Sequence, residues 1–128
     1  MALVTPTITD VGDGRGGTKL VTWVLTTADT TGVAVGAELG QHSDLCWHAI
    51  GTWGGATAAI QGSNVNTDAA FGAMTNASGG AAITWTADGA PKQSIEKPYF
   101  IRPKLTTAGA GATVTVYLFA RKSQQRSS

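Results

Sequence analysis

Three residues with potential for chemistry lie close together in the middle of the chain: Asp44, Cys46 and His48. Alternate residues of a β-strand point to the same face, so their side chains would share one face of a strand. A catalytic cysteine–histidine pair needs hydrogen-bond reach and a third group that orients the base. Side chains two residues apart on a strand are about 6–7 Å apart, which is too far. The sequence therefore predicts a half-buried cysteine and a surface histidine, with no catalytic residue and no enzyme activity.

Metal sites are also not expected, because the candidate ligands for zinc and for calcium are too few. The zinc candidates are few and loosely spaced: Glu38, His42, Asp44 and His48. The calcium candidates, Asp10 and Asp13, lack the further carboxylates and the closing Glu of an EF-hand loop. Asp-Gly pairs are common in turns, so we predict a turn here, and no cofactor.

The composition favours a single β-rich domain that works by binding. The chain has 128 residues, enough for one domain with a core, and one cysteine, which excludes an internal disulfide. Charged residues make up 13% and the net charge is +1, so no overall attraction to nucleic acid or membrane is expected. After Glu96 every charged residue is basic, which indicates solvated edge-strand charges, or else an acidic partner surface or DNA. We see no signal peptide and no apolar run of about 20 residues.

Short alternating segments separated by turn residues predict the fold. The clearest strands are 18–26, which is largely apolar on both faces and is predicted to be buried on both sides, and 113–121. Seven or eight such strands without an amphipathic helix predict a single-domain, all-β, antiparallel β-sandwich or jelly-roll-like fold. We divide the chain into an extended N-terminal arm and loop at 1–17, the sandwich at 18–122 and a polar tail at 123–128.

The stretch 45–64 is predicted to be the central hairpin. Gly54 and Gly55 both tolerate a positive φ, as a two-residue type I′ or II′ turn requires. This loop would pair Thr52 with Thr57 across the two strands. It would also place one apolar set side by side on a single face: Trp47, Ala49, Ala58 and Ile60.

Prolines and glycines limit the remaining elements. We predict at most one helical turn over 69–74, because Gly72 and later glycines oppose anything longer. Pro98 and Pro103 bracket a short strand, Tyr99–Arg102, that is expected at a sheet edge.

The four tryptophans have two interpretations. In a sugar-binding sandwich some would form an exposed stacking platform, whereas otherwise they pack in the core or a subunit interface. The apolar neighbours of Trp23 and Trp47 favour packing, and Trp53, beside the turn, is expected to be more exposed.

Two segments resemble small virion structural proteins of tailed bacteriophages. The run GTWGGATAAIQGSN at 51–64 is similar to a stretch of that group, as is YFIRP at 99–103 with the glycine-rich turn and hydrophobic strand that follow. The resemblance covers about 20–122 and concerns turn and strand residues. The chain differs at 64–66, where the group often has an Asn-Asp-Gly turn, and lacks a nearby Trp.

The resemblance implies a capsid decoration (cement) protein that binds the outer surface of the phage head and stabilises the shell. Its expected partners are the major capsid protein and further copies of the chain, with a homotrimer favoured. Its expected location is the capsid surface of the virion, after synthesis in the host cytoplasm.

The predicted interface combines the arm with aromatic and basic residues: Leu3, Val4, Ile8, Trp53, Tyr99 and Arg102. The arm is included because it is extended and apolar, with no element of its own to cover it. The alternative function is a carbohydrate-binding or host-adhesion module of a tail, baseplate or cell-wall protein. That module would use Trp53, Tyr99 and Gln61.

Overall fold

The structure, a computed structural model, describes residues 3–10, 18–36, 42–96 and 98–122. Within these ranges two antiparallel sheets pack together, which confirms the predicted all-β sandwich. The five-stranded sheet has the order β1-β2-β9-β3-β7, and in the second sheet β4 pairs with β5, β6 and β8. The strands are β1 (Thr7–Asp10), β2 (Thr18–Thr26), β3 (His42–Thr52), β4 (Thr57–Ser63), β5 (Gly72–Ala73), β6 (Thr84–Trp85), β7 (Lys92–Gln93), β8 (Phe100–Thr107) and β9 (Thr113–Lys122).

This strand order does not confirm a jelly-roll-like arrangement. The predicted loop at 11–17 and the predicted tail at 123–128 lie outside the described residues.

Strand β9 is the centre of the five-stranded sheet. It pairs with β2 from Thr18↔Arg121 to Thr26↔Thr113, and on its other edge with β3. Its alternate residues Val114, Val116 and Leu118 are fully buried, as the period-two pattern predicts. The predicted bounds of β2 are confirmed, and β9 extends one residue beyond its predicted end.

The expectation that β2 is buried on both sides is wrong. Val21, Trp23 and Leu25 are fully buried on the inner face, whereas Val24 on the outer face is 46% exposed. A sandwich of two layers covers only one face of each sheet, and no described segment packs over Val24.

The turn of the predicted hairpin is confirmed, but the hairpin is not. The Ala56 N–H donates to the Trp53 carbonyl oxygen at 2.8 Å, and φ is 55° at Gly54 and 88° at Gly55, as in a type I′ turn. The strands on either side of it nevertheless belong to different sheets, because β3 pairs with β9 and β7 while β4 pairs with β8.

The apolar set of the predicted hairpin is buried as expected, but its members lie in opposite layers of the core. Trp47 and Ala49 lie on β3, and Ala58 and Ile60 lie on β4, all inside one buried cluster. Burial of these side chains is satisfied equally by pairing side by side or by facing across the core. Because β3 forms a long ladder with β9, β3 and β4 face each other across the core.

Strand β8 lies at a sheet edge, as predicted, but it runs from Phe100 to Thr107 and continues through Pro103, whereas the predicted strand ended at Arg102. One edge of β8 carries the full ladder to β4, whereas on the other edge Thr31 and Val35 form isolated bridges. The Pro103 carbonyl accepts the Gly32 N–H at 3.0 Å, so the N–H that proline lacks falls on this loosely paired edge.

A single 3-10 turn, Asp68–Ala70, follows β4 and agrees with the predicted limit of one helical turn. In the core, the Trp23 and Trp47 rings stack with centroids 5.9 Å apart and planes at 19°. Their indole N–H groups donate to the Val33 carbonyl and the Ser94 hydroxyl. The prediction that both tryptophans pack inside is confirmed.

Candidate interaction surface

The residues of the predicted interface do not form one surface. Tyr99 directly precedes β8, whereas the turn after Trp53 contacts the far end, where the Ala110 N–H donates to the Gly54 carbonyl at 2.9 Å. The eight residues of β8 lie between them and span roughly 25 Å. Trp53 and Tyr99 therefore lie at opposite ends of the sandwich.

The arm is paired within its own chain, so the premise that it has no covering element is wrong. The Val4 N–H donates to the Thr31 carbonyl at 2.9 Å, and the Val4 carbonyl accepts the Val33 N–H at 2.8 Å. Further along, Thr7–Asp10 forms the edge strand β1 against β2. Of the three predicted arm residues, Leu3 and Ile8 remain exposed and Val4 packs against the core.

Arg102 was predicted as an interface residue, but it is only 5% exposed. Its Nη2 lies 2.7 Å from Asp68 Oδ1, its Nε donates to Gln61 Oε1 at 3.0 Å, and its guanidinium carbon lies 4.0 Å from the Phe71 ring centroid. The hydrogen bond and the charge of Arg102 hold the pKa of Asp68 below its ordinary value. Alternation places Arg102 on the outer side of β8, and the segment after β4 folds back to cover it.

Trp53 is half-buried and anchors a loop. Its indole N–H donates to Asp88 Oδ1 at 2.8 Å, and the same oxygen accepts the Gly51 N–H at 2.9 Å. The bond from Trp53, followed by that from Gly51, lowers the pKa of Asp88. An indole held in this way fixes the Asp88 loop on β3 and is not an open stacking platform.

Tyr99 is exposed, and its ring packs edge-on against Phe100 with centroids 4.6 Å apart. Its backbone N–H donates to Asn64 Oδ1 at 2.9 Å. Gln61, the polar residue expected in a sugar site, instead accepts the bond from Arg102. An exposed tyrosine beside an asparagine is what remains of the predicted carbohydrate platform.

The structure does not activate Cys46. Burial raises the pKa of its thiol, and the charge of Arg121 offsets this only in part. A raised pKa leaves less of the nucleophilic thiolate. His48 Nε2 lies 2.7 Å from the Gly89 carbonyl, which can only accept, so this nitrogen carries the proton. The side chain of Asp44, the proposed third member, lies outside the described residues.

Metal-binding residue types do not come together in the described part of the chain, where no three His, Cys, Asp or Glu side chains form a group. Most of the predicted candidates lie outside the described residues or side chains: Asp10, Asp13, Glu38, His42 and Asp44.

No described helix is long and apolar enough to span a membrane.

An uncharged surface covers the middle of the outer side of the five-stranded sheet, and the row beyond it, Thr18–Arg121–Asp44, includes two charged residues. The register places outward side chains of β2, β9 and β3 in rows such as Leu20–Phe119–Cys46. We define the outer face by these residues: Leu20, Thr22, Val24, Cys46, His48, Ile50, Thr115, Tyr117 and Phe119. None is Asp, Glu, Lys or Arg, and threonines extend the face in the next row and on β1.

A cleft of about 280 Å³ opens at one end of the outer face, lined by Leu45, Cys46, Gln93, Phe119 and Arg121. The Arg121 guanidinium lies 5.9 Å from the Phe119 ring centroid and marks the charged limit of the face. The cleft gives an otherwise flat sheet a recess that a partner side chain can enter.

The outer face has a signal in the sequence, but the signal is ambiguous. The apolar residues Leu20 and Val24 on the second side of β2 also fit burial inside the chain, which is the expectation that the structure corrects. The same pattern occurs when a sheet face is left for a partner, and the sequence of one strand does not separate these cases.

No known protein family, curated protein or solved structure matches this chain in the comparisons made.

Proposed function

We propose that the chain is a non-enzymatic structural protein of a tailed-phage virion, a capsid decoration (cement) protein that binds the outer head surface and stabilises the shell. The observation that carries the binding role is the uncharged outer face of the five-stranded sheet. The assignment to a phage head rests on the resemblance of residues 51–64 and 99–122 to small virion proteins.

The residues that carry the resemblance are joined in space. Gln61 and Arg102 are direct cross-strand neighbours on β4 and β8, and their side chains are hydrogen-bonded. Asn64 and Tyr99 are bonded just beyond this pair. The two similar segments therefore form one structural unit in this chain.

The proposed mechanism is burial of apolar surface between the chain, its copies and the major capsid protein. A specific interface of standard size buries about 1,600 Å² in total. A shell offers many equivalent sites, and linked copies, in a homotrimer for example, gain avidity from them. A domain with few charges suits this role, since burying a charge without a partner is costly.

Composition of the virion tests the proposal. Mass spectrometry of purified particles of a phage that encodes the chain should find it in a copy number comparable with that of the major capsid protein. Heads stripped of the chain should bind it again in co-sedimentation, and their melting temperature should rise. Absence from the particle would contradict the proposal, and a few copies per particle would indicate the tail or baseplate instead.

The arm can be tested without removing β1. Leu3 is exposed and precedes the paired residues, so Leu3→Lys should leave the fold intact. Weaker head binding by this variant is expected if the arm contacts the capsid. Unchanged binding would exclude Leu3 from the interface.

The alternative, a carbohydrate-binding or host-adhesion module, is favoured by one observation, the exposed Tyr99 beside Asn64. It is weakened by the burial of Trp23, Trp47 and Trp85. A glycan array distinguishes the two functions, because a module of this class should give hits that Tyr99→Ala abolishes.

A further inference from the structure

We infer that the outer face of the five-stranded sheet is the contact surface between two copies of this chain. The inference rests on the binding role of the proposed function and names the surface that its copies share, although a contact between copies does not itself require a capsid. It rests on the chemistry, exposure and area of the face.

The outer face is open in the described structure. Val24 is 46% exposed, Phe119 is also exposed, and Tyr117 and Ile50 are half-buried. Solvent-facing sheet surfaces normally carry polar and charged side chains at alternate positions. A row of Leu20, Phe119 and Cys46 across three central strands departs from that pattern, and contiguous apolar patches of this kind mark binding sites.

The absence of charge on the outer face selects its occupant. A charged partner surface would lose water from its charges on docking without gaining ion pairs. A second outer face presents no such charges, and its threonine hydroxyls and Tyr117 can both donate and accept hydrogen bonds. The outer face is therefore complementary to itself.

The available area agrees with a contact between copies. At the strand spacing and rise of a sheet, the face over β2, β9, β3 and the short β1 covers roughly 500 Å². Two facing copies bury roughly 1,000 Å², which is about the threshold for a specific interface. Stacked sheets pack about 10 Å apart, so side chains of one copy reach the cleft beside Cys46 of the other.

A matched pair of Val→Lys variants tests the inference. Val24 lies on the outer face, whereas Val65 follows the end of β4, a strand of the other sheet, and has a similar exposure of 58% against 46%. Light scattering after size exclusion should show that the wild-type protein and Val65→Lys are oligomers at about 100 µM. Val24→Lys should be a monomer, because it places an unpaired charge in the contact.

The single cysteine provides a second readout. Cys46 lies on the outer face and is half-buried in one isolated chain. Its alkylation should be slower in the oligomer, and Val24→Lys should accelerate it several-fold at equal protein concentration. If Val24→Lys does not fold by circular dichroism, Phe119→Lys replaces it at another exposed position of the face.

Each outcome bears on the inference. A wild-type protein that stays monomeric at about 100 µM, or a folded Val24→Lys variant with the wild-type mass, overturns it. A monomeric wild-type protein whose head binding is lost in Val24→Lys also overturns it and assigns the face to the capsid. An oligomer that Val24→Lys dissociates, from a protein absent from virions, supports the inference and overturns the proposed function.

Discussion

On the outer side of the four-stranded sheet, the charged Arg102 is buried under Asp68 and Phe71 of the same chain. On the outer side of the five-stranded sheet, Val24 and Phe119 are open to solvent. One sheet thus buries a charge that sequence patterns place outside, and the other exposes apolar side chains that sequence patterns place inside.

The difference shows how this chain distributes its few charged groups. The described ion pair and the carboxylates with lowered pKa stabilise loops: Asp68 binds Arg102, Asp88 binds Trp53, and Glu96 binds Thr75. None is among the residues that define the outer face, and Asp88 approaches it only at His48. Charged residues on exposed sheets normally prevent association, so a face without them is suited to a partner.

Arg102→Ala should have the largest effect on stability, because it disrupts the covered outer side of the four-stranded sheet. It removes the hydrogen bonds to Gln61 and Asp68 and the contact with Phe71. We expect the free energy of unfolding to fall by about 3 kcal/mol, measured by denaturant titration. The control Lys104→Ala, on the same side of β8, should cost about 0.5–1 kcal/mol. Equal losses would contradict a special role for Arg102.

A pair of glycines tests how tightly the chain packs against β4. Gly62 and Gly72 are cross-strand partners, but a Cβ at Gly62 would collide with Pro98 and Met74, whereas a Cβ at Gly72 would meet no described atom within 4 Å. Gly62→Ala should therefore lower the free energy of unfolding by about 2 kcal/mol, and Gly72→Ala should be nearly neutral. Thermal melts measure the stability of both variants. A Gly62→Ala variant as stable as Gly72→Ala would show that Pro98 and Met74 move aside.

Acid should destabilise the loops. Hydrogen bonds lower the pKa of Asp88 and Asp68 in the folded state, so their contribution to stability is present above the unfolded pKa of about 4. It is lost as the pH falls through the lower folded pKa. The melting temperature should drop as the pH falls below the unfolded pKa of about 4, and less steeply in Asp88→Asn. An identical acid profile for Asp88→Asn would contradict this role.

The smallest expected effect concerns salt. A contact made by the uncharged outer face has no ion pairs to screen, so the native mass should be the same in about 50 mM and 500 mM NaCl. Dissociation at the higher concentration would show that charged residues such as Arg121, at the limit of the face, hold the copies together.

Local patterns in the sequence determined the strands, the turn and the core. Alternation predicted β2 and β9 to within one residue, and the Gly54-Gly55 pair predicted a two-residue turn of type I′ or II′, which the positive φ of both glycines identifies as type I′. Trp23 and Trp47 were recognised as buried from their apolar neighbours. These features depend on side-chain periodicity and backbone freedom over a few residues, which the sequence shows directly.

The tertiary structure alone decided which strands pair and which faces are covered. The turn at Gly54-Gly55 suits both a hairpin and a change of sheet, and the ladder from β3 to the distant β9 selected the change. Arg102 became buried because Asp68 and Phe71 fold back over β8. The outer side of β2 stayed open because no described segment covers it. These outcomes depend on contacts between residues far apart in the chain, and the pattern of a single strand does not contain them.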